Sequence, residues 1–407
     1  MKLLYNISMI ISEALIKSFG NFFGKKVKLF RLGQKEIFHK LSTCKLQKQS
    51  VIWMHVSSLG EYEQGLPILE KLKLKYPKHL IVLSFFSPSG YEIKKQTSPA
   101  DCVIYLPVDT PGNAKKLLNL LQPEMVFFVK YDFWPNYLFE LKKRNIKTYL
   151  VSGLFTTEHK FFKPWNKWLK NSLNAFHHFF VQDKNSKQVL LKQGFKNISV
   201  VGDTRFDRVY QIAENREKPE FLNAFKQEQK LIIAGSTWEQ DEALLVDFIN
   251  QNKRPVRFIL APHQIQPEKI EQLKNKIQKN CVCYSETQNF QDADVLILDT
   301  IGLLSKTYAF ADIAYIGGGF GKGIHNIQEP AVFGTPIVTG PKIHKFKEAN
   351  DLLALDALKI VHNAAELSQI FNLLLDEDIL RKQLNEIIIS YIKKNLGATN
   401  KIIDIIS

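Results

Sequence analysis

Ile313-Ala314-Tyr315-Ile316-Gly317-Gly318-Gly319-Phe320-Gly321-Lys322-Gly323-Ile324-His325-Asn326-Ile327-Gln328-Glu329-Pro330-Ala331 reads as a buried strand, then a glycine-rich turn, then a helix start toward Ala331-Val332-Phe333. Such a turn offers unpaired backbone N–H groups and the positive end of a helix dipole, a ready seat for a phosphate. Glu329 stands where a carboxylate can accept hydrogen bonds from ribose hydroxyls. The competing reading is a plain surface loop, but five glycines in seven residues lose backbone entropy that an ordinary connection need not lose.

Working outward, short apolar runs alternate with amphipathic stretches over most of the chain. Candidate strands are 51–56, 80–85, 103–106, 125–129, 148–152, 179–182 and 199–201, with helical patterns such as Tyr62–Tyr76 and Ala114–Leu121 between them. A second series follows at 231–234, 257–261, 282–284, 295–298, 313–316 and 337–339. Strand–helix alternation predicts parallel sheets covered on both faces. The polar stretch Ala213–Pro219 separates the series, so two Rossmann-like domains, 31–215 and 216–385, are expected, flanked by an N-terminal segment 1–30 and a C-terminal segment 386–407. The C-terminal pattern reads as one long helix from about Ile379, packing back across the domains. Ligands of open parallel sheets bind beyond the carboxyl ends of the strands, which puts the chemistry in a cleft between two facing domains.

A chain of 407 residues is too long for one ordinary core, which also favours two domains. Cys44, Cys102, Cys281 and Cys283 form no CxxC pair, so neither zinc nor a disulfide framework is expected and a reducing compartment fits. Cys281 and Cys283 alternate as one face of a strand does. The net charge is +15, and residues 1–50, with ten Lys/Arg and two Asp/Glu, carry +8 of it. A basic end predicts an anionic partner. Apolar positions 3, 4, 7, 10, 11, 14 and 15 follow helical spacing, with Phe19, Phe22, Phe23 and the basic Lys25, Lys26, Lys28 and Arg31 after them. The run is too short to span a bilayer comfortably and reads as a helix lying in a membrane interface. The alternative is a helix packed on the protein itself.

Polar groups cluster at strand ends in the first half. His55-Val56-Ser57-Ser58-Leu59-Gly60-Glu61 leaves the first strand, and Glu61 opens a helix. A carboxylate at a helix N-terminus is held ionised, as a general base must be, although a Glu there is also an ordinary helix start. Ser87-Pro88-Ser89-Gly90 follows the second strand and reads either as a ligand-binding turn or as an N-capped helix. Lys130-Tyr131-Asp132-Phe133-Trp134-Pro135-Asn136 follows another strand, at a cleft edge. The interleaved lysines and aromatics of 160–170 fit nucleic acid, a lipid surface or a packed helix with solvated lysines.

His55–Glu61, Trp134-Pro135-Asn136, Gly202-Asp203-Thr204-Arg205-Phe206-Asp207, Ala234-Gly235-Ser236-Thr237 and Gly317–Ala331 with Gly340-Pro341, in this order, resemble the 3-deoxy-D-manno-octulosonic acid (Kdo) transferases. The resemblance runs from about residue 50 to 355. It implies the two-domain GT-B fold and an inverting transfer of Kdo from CMP-Kdo to the lipid A precursor, without a metal or other cofactor and with no nucleic acid as partner. The basic N-terminus fits a place on the cytoplasmic face of the inner membrane.

On that resemblance Glu61 is the general base. Ser58, Gly60, Ser87, Lys130 and Asp132 line the acceptor side. Donor contacts fall to Arg205, Ser236, Thr237, His263, Gly318, Gly319, Ile324, His325, Asn326 and Glu329, with backbone N–H groups and one cation meeting the phosphate charge. Two positions depart from the family pattern. Lys130-Tyr131-Asp132 stands where Glu-Thr-Glu is common, leaving Asp132 as the remaining carboxylate. Pro262-His263-Gln264 replaces Pro-Arg-His, so a weaker, pH-dependent charge is expected at His263. The alternatives are another GT-B enzyme, such as a nucleotide-sugar 2-epimerase or a lipid-linked glycosyltransferase, and a non-catalytic binder of anionic lipid.

Overall fold

A computed structural model describes residues 1–44, 49–130, 132–214, 219–287 and 289–406. Most of the stretch read as a linker, and Tyr131, lie outside the described residues. The chain forms two compact units. One runs from Met1 to Arg208 and takes back the tail from Leu396; the other is Val209–Asn395.

The first unit carries β1 (Val51–Val56), β2 (Leu80–Phe85), β3 (Cys102–Tyr105), β4 (Pro123–Val129), β5 (Lys147–Gly153), β6 (His178–Val181) and β7 (Ile198–Val200). They form one sheet in the order β3-β2-β1-β4-β5-β6-β7, and every pairing is parallel. The near-continuous apolar sequence of β1, β2 and β4 follows from burial on both faces. Trp53, Val82, Val126 and Phe128 point into one core layer, and Ile52, Met54, Leu83 and Phe127 into the other. The order of strands reverses beside β1, so the carboxyl ends of β1 and β4 form the switch point where ligands of such sheets bind.

The second unit carries β8 (Lys230–Thr237), β9 (Val256–Pro262), β10 (Cys281–Cys283), β11 (Val295–Ile297), β12 (Ile313–Ile316), β13 (Ile337–Thr339) and β14 (Leu358–Ile360). The sheet order is β10-β11-β9-β8-β12-β13-β14, again with all pairings parallel. Its reversal falls between β8 and β12, and the glycine-rich turn leaves β12 there.

Among the helices of the first unit, α1 (Lys2–Phe19) and α2 (Gly24–Thr43) precede the sheet and α3 (Leu59–Lys75) follows β1. The N-terminal helix α1 packs on the protein along one face, through Met9 and Ile16, as the second reading expected. The Tyr5 hydroxyl donates to Asp109 at 2.7 Å, and the Asn113 amide donates to Glu13 at 3.1 Å. The other face leaves Leu3, Leu4, Ile7, Ile10, Ile11, Leu15 and Phe19 exposed, followed by Phe22 and Phe23.

Three expectations are corrected. The C-terminal pattern is two helices, Asp378–Asn395 and Ala398–Ile405, because Gly397 at φ +91° breaks the path. The last helix packs on the first unit: Ile402 and Ile406 join its core, and Asp207 accepts from the N–H groups of Gly397 and Thr399, both at 2.7 Å. Cys44 and Cys102 form a disulfide where none was expected, since the C-terminus of α2 lies against the start of β3 with the Cα atoms 5.8 Å apart. The helix beyond the glycine-rich turn is the single turn Gln328–Ala331, starting earlier than Ala331. Its dipole is correspondingly small, so anion attraction there rests on individual N–H groups.

Candidate active site

In the first unit the functional groups gather where β1 ends. Ser58 caps α3, and Glu61 at the third helical position reaches back to the Ser58 N–H at 2.7 Å and also accepts from the Ser58 hydroxyl. This reciprocal arrangement is a capping box. It locks the Glu61 carboxylate at the carboxyl end of β1, partly open to solvent. Gly60 is exposed, and an added Cβ would come no nearer than 3.8 Å to Ser58 Oγ, so space does not demand glycine there. Ser87 accepts from the Ser89 N–H at 3.4 Å, capping helix Pro88–Lys94, and its own N–H donates to the Ser57 carbonyl at 2.7 Å. The capped-helix reading of that turn is therefore correct, and its loop sits beside the Glu61 turn. Lys130 leaves β4 in the left-handed region at φ +67°.

Asp132 is the most heavily bonded of these residues. Its Oδ2 accepts from His55 Nε2 at 2.6 Å, from Trp134 Nε1 at 2.9 Å and from the Ser57 hydroxyl. Burial pushes the carboxyl up, but these donors together with the His55 ring outweigh it and hold Asp132 below the usual carboxylate range. His55 is wholly buried, and its Nδ1 meets Ser84 Oγ at 2.8 Å. Sequence reasoning singled out Asp132 but missed His55, Ser57 and Trp134 as its partners. Consecutive serines thus serve two carboxylates: Ser57 bonds Asp132 and Ser58 bonds Glu61.

Nearby, Asp109 accepts from the N–H groups of Asn136 and Tyr137 at 3.1 and 3.2 Å, so it caps helix Pro135–Lys143 from a distant segment. Burial raises its carboxyl to about 6 against those donors and Tyr5. Arg205 also belongs to the first unit, whereas the other proposed donor residues belong to the second. Its guanidinium donates to Asp203 Oδ2 at 2.7 and 2.9 Å.

In the second unit the glycine-rich turn lies against the end of β8. An added Cβ on Gly317 would sit 2.4 Å from the Ser236 carbonyl, and one on Gly319 would sit 2.6 Å from the Gly340 backbone. Glycine is required there by backbone meeting backbone. Ser236 itself is left-handed at φ +54°. The Thr237 hydroxyl donates to Glu242 at 3.1 Å. Two of the expected donors are already engaged: the Gly318 N–H donates to Asp241 at 2.8 Å and the His325 N–H to the Gly317 carbonyl at 3.2 Å. Asp241, which also accepts from the Tyr315 hydroxyl at 2.8 Å and the Trp238 N–H at 2.9 Å, pins the turn to helix Glu239–Gln251.

Ile324 is buried and anchors the turn. Asn326 accepts from the Gln328 N–H at 3.0 Å and donates to Glu329 at 3.2 Å, which orients that carboxylate. Trp238, His263 and His325 stack: Trp238–His263 and His263–His325 ring centres are each 4.5 Å apart, and Trp238 Nε1 donates to His325 Nε2 at 3.1 Å. Burial, and then the neighbouring His263, depress His325 to about 4, while burial also lowers His263. Burial thus favours the neutral form of both rings, and His263 presents a flat face between Trp238 and His325. Beside this stack opens a cavity of about 160 Å³ lined by Thr237, Trp238, Glu242, Pro262, Gln264 and Lys269.

The family described as 3-Deoxy-D-manno-octulosonic-acid transferase (kdotransferase) matches residues 31–208, the greater part of the first unit. Over 430 residues the chain is 25% identical to the 3-deoxy-D-manno-octulosonic acid transferase of Haemophilus influenzae, covering 99% of this chain and 97% of that one. The likeness to Kdo transferases thus extends beyond the matched domain along nearly the whole chain. The corresponding enzyme of Aquifex aeolicus is 26% identical over 332 residues, covering 78% of this chain and 83% of that one. A bifunctional glycosyltransferase/methyltransferase of Fusobacterium nucleatum is 27% identical over 308 residues, 72% of this chain, which spans about half of that longer relative (48%). Among solved structures, UDP-GlcNAc 2-epimerase from Neisseria meningitidis superposes with a TM-score of 0.63 at 13% identity, covering 87% of this chain and 98% of that one. A glycosyltransferase from Rickettsia africae gives 0.56 at 16% identity, over 88% and 98%. At such identities the likeness shows the fold alone, which is GT-B. The chain is accordingly a glycosyltransferase, with its carboxylate-rich strand ends in one unit and its glycine-rich turn in the other.

Proposed function

We propose that the chain transfers Kdo from CMP-Kdo to the lipid A precursor, lipid IVA, in lipopolysaccharide core biosynthesis. The observation that carries this reading is Glu61, a carboxylate fixed by its capping box at the switch point of the first sheet, in a chain whose first unit matches the Kdo transferases. Glu61 takes the proton from a glucosamine 6-hydroxyl. The freed oxygen pair bonds to the anomeric carbon of Kdo on the face opposite CMP, the bond from that carbon to the phosphate oxygen breaks, and CMP leaves with the electron pair. Configuration inverts. The second unit holds the nucleotide: backbone N–H groups of the glycine-rich turn and the β8 end take the phosphate, and Glu329, oriented by Asn326, takes the ribose. No metal enters this scheme, so chelator is expected to leave turnover unchanged.

The same reading places the protein on the cytoplasmic face of the inner membrane. Its support is the exposed apolar stripe of α1, continued by Phe22, Phe23 and the basic start of α2. Among the described residues, no helix is long and apolar enough to cross a membrane. Incubation with CMP-Kdo and tetraacyl lipid A precursor, followed by mass spectrometry of the lipid, tests the transfer; a lipid of unchanged mass would overturn it. Ile11→Asp with Phe23→Asp is expected to release the protein from anionic vesicles, and unchanged co-sedimentation would show that it is held elsewhere.

A further inference from the structure

Resting on the reading of the second unit as the seat of the nucleotide, we infer that Tyr308 is a further donor-binding residue. Its phenolic hydroxyl donates to a ribose hydroxyl that itself donates to Glu329, and the pair thereby selects a ribonucleotide over its deoxy counterparts. Tyr308 opens the 3-10 turn Tyr308–Phe310, and its ring is buried. Three other buried tyrosines spend their hydroxyls on the protein: Tyr137 donates to the Pro107 carbonyl at 3.0 Å, Tyr315 to Asp241 at 2.8 Å and Tyr105 to Glu92 at 3.1 Å. Among the described residues the Tyr308 hydroxyl meets no protein partner, and it is not one of the unpaired polar atoms sealed from solvent. A buried phenol ordinarily finds a partner, so this one is left for a group that the chain does not supply.

Two neighbours tie this hydroxyl to the nucleotide site. Gly235 stands directly before Ser236 and Thr237 in β8, and a Cβ added to it would sit 1.9 Å from the Tyr308 hydroxyl oxygen. The phenol therefore fills the space of the side chain that Gly235 lacks, near the carboxyl end of β8. There the Gly235 carbonyl accepts from the Gly317 N–H at 2.9 Å, so the glycine-rich turn starts from the same place. The turn Tyr308–Phe310 also packs beside helix Gln328–Ala331, which carries Glu329. Burial, and then the Glu329 carboxylate, push the phenol well above its ordinary range, so it keeps its hydrogen and acts as a donor. The Glu329 carboxylate offers the acceptor, and a ribose hydroxyl, at once donor and acceptor, completes a chain from Tyr308 through the sugar to Glu329. A deoxy sugar leaves both protein groups unpaired, which is how a polar site rejects an analogue that lacks one hydroxyl.

The test measures binding of CMP, 2′-deoxy-CMP and 3′-deoxy-CMP by calorimetry to the full-chain wild type and to Tyr308→Phe, with thermal unfolding as the check on folding. Phenylalanine keeps the ring and removes an oxygen that no protein group uses, so the unfolding temperature is not expected to fall. Tyr308→Phe is expected to bind CMP about 3- to 10-fold more weakly. One of the two deoxy nucleotides is expected to bind the variant as it binds the wild type, so the preference for CMP over that analogue collapses. A merely space-filling ring would leave all three affinities unchanged, and that result overturns the inference while the nucleotide reading stands. Equal weakening of all three nucleotides, or a wild type with no preference for CMP, would overturn it as well, since the hydroxyl would not then meet the ribose. A wild type that binds no CMP would bring down the reading of the second unit and this inference with it.

Discussion

Replacing Asp109 with asparagine is expected to remove a pH-dependent penalty from the first unit. Asp109 is buried and accepts from Tyr5, Asn136 and Tyr137, yet burial wins and its carboxyl rises from 3.8 to about 6. The folded state therefore holds the proton more tightly than the unfolded chain. Stability from this group is fully present below the unfolded value of about 4, and it is lost as pH rises through about 6. A rise of about two pH units corresponds to about 3 kcal/mol between pH 4 and pH 7. Asparagine keeps an acceptor for only one of the two helix N–H groups, since Asn136 bonds Oδ2 and Tyr137 bonds Oδ1, but that loss is the same at every pH and drops out of the pH dependence. Urea unfolding of both proteins between pH 4 and pH 7, followed by the fluorescence of Trp53 and Trp134, reads the effect. The stability of wild type minus that of Asp109→Asn should fall by about 3 kcal/mol across the range. A difference that stays constant, or rises, would refute the reasoning, because Asp109 would then titrate alike in both states.

Further perturbations test other contacts. Gly319→Ala pushes a methyl to 2.6 Å from the Gly340 backbone, which neither chain segment can avoid without moving; CMP affinity is expected to drop at least tenfold by calorimetry, and an unchanged affinity would remove the turn from the nucleotide site. Asp207→Ala leaves the N–H groups of Gly397 and Thr399 without their acceptor. Amide exchange over 398–406 is expected to accelerate about 10- to 100-fold, matching about 1–3 kcal/mol for orphaned donors, and unchanged protection would show that apolar packing alone holds the tail.

Much of the fold was legible because parallel sheets buried on both faces demand apolar runs. Val51–Val56, Leu80–Phe85, Ile313–Ile316 and Ile337–Thr339 were read to the residue. β14 was missed because Leu358-Lys359-Ile360 is a short edge strand with a charge at its centre, too brief to show a period. The C-terminal break was missed because residues on both sides of Gly397 keep helical spacing, and only its backbone conformation ends the helix. Glu61 and the glycine-rich turn stood out through local spacing, whereas the His55–Asp132 pair spans 77 positions. A signal for it was present: His55 and Ser84 are polar residues in otherwise apolar strands, and a polar side chain buried in such a strand must find a partner. The link of Asp241 to Gly318 and the Cys44–Cys102 pairing left no such trace, since both depend on how helices settle against strand ends.

The most direct measurement compares Glu61→Gln with wild type for Kdo transfer to lipid IVA, with unfolding temperature recorded alongside. Glutamine at the third helical position preserves the capping box, so the two proteins are expected to unfold within about 1 °C of each other. Removing the base is expected to lower kcat by about 10²- to 10⁴-fold while CMP binding is retained. Turnover close to wild type in a folded Glu61→Gln protein would contradict the role of Glu61 as the base.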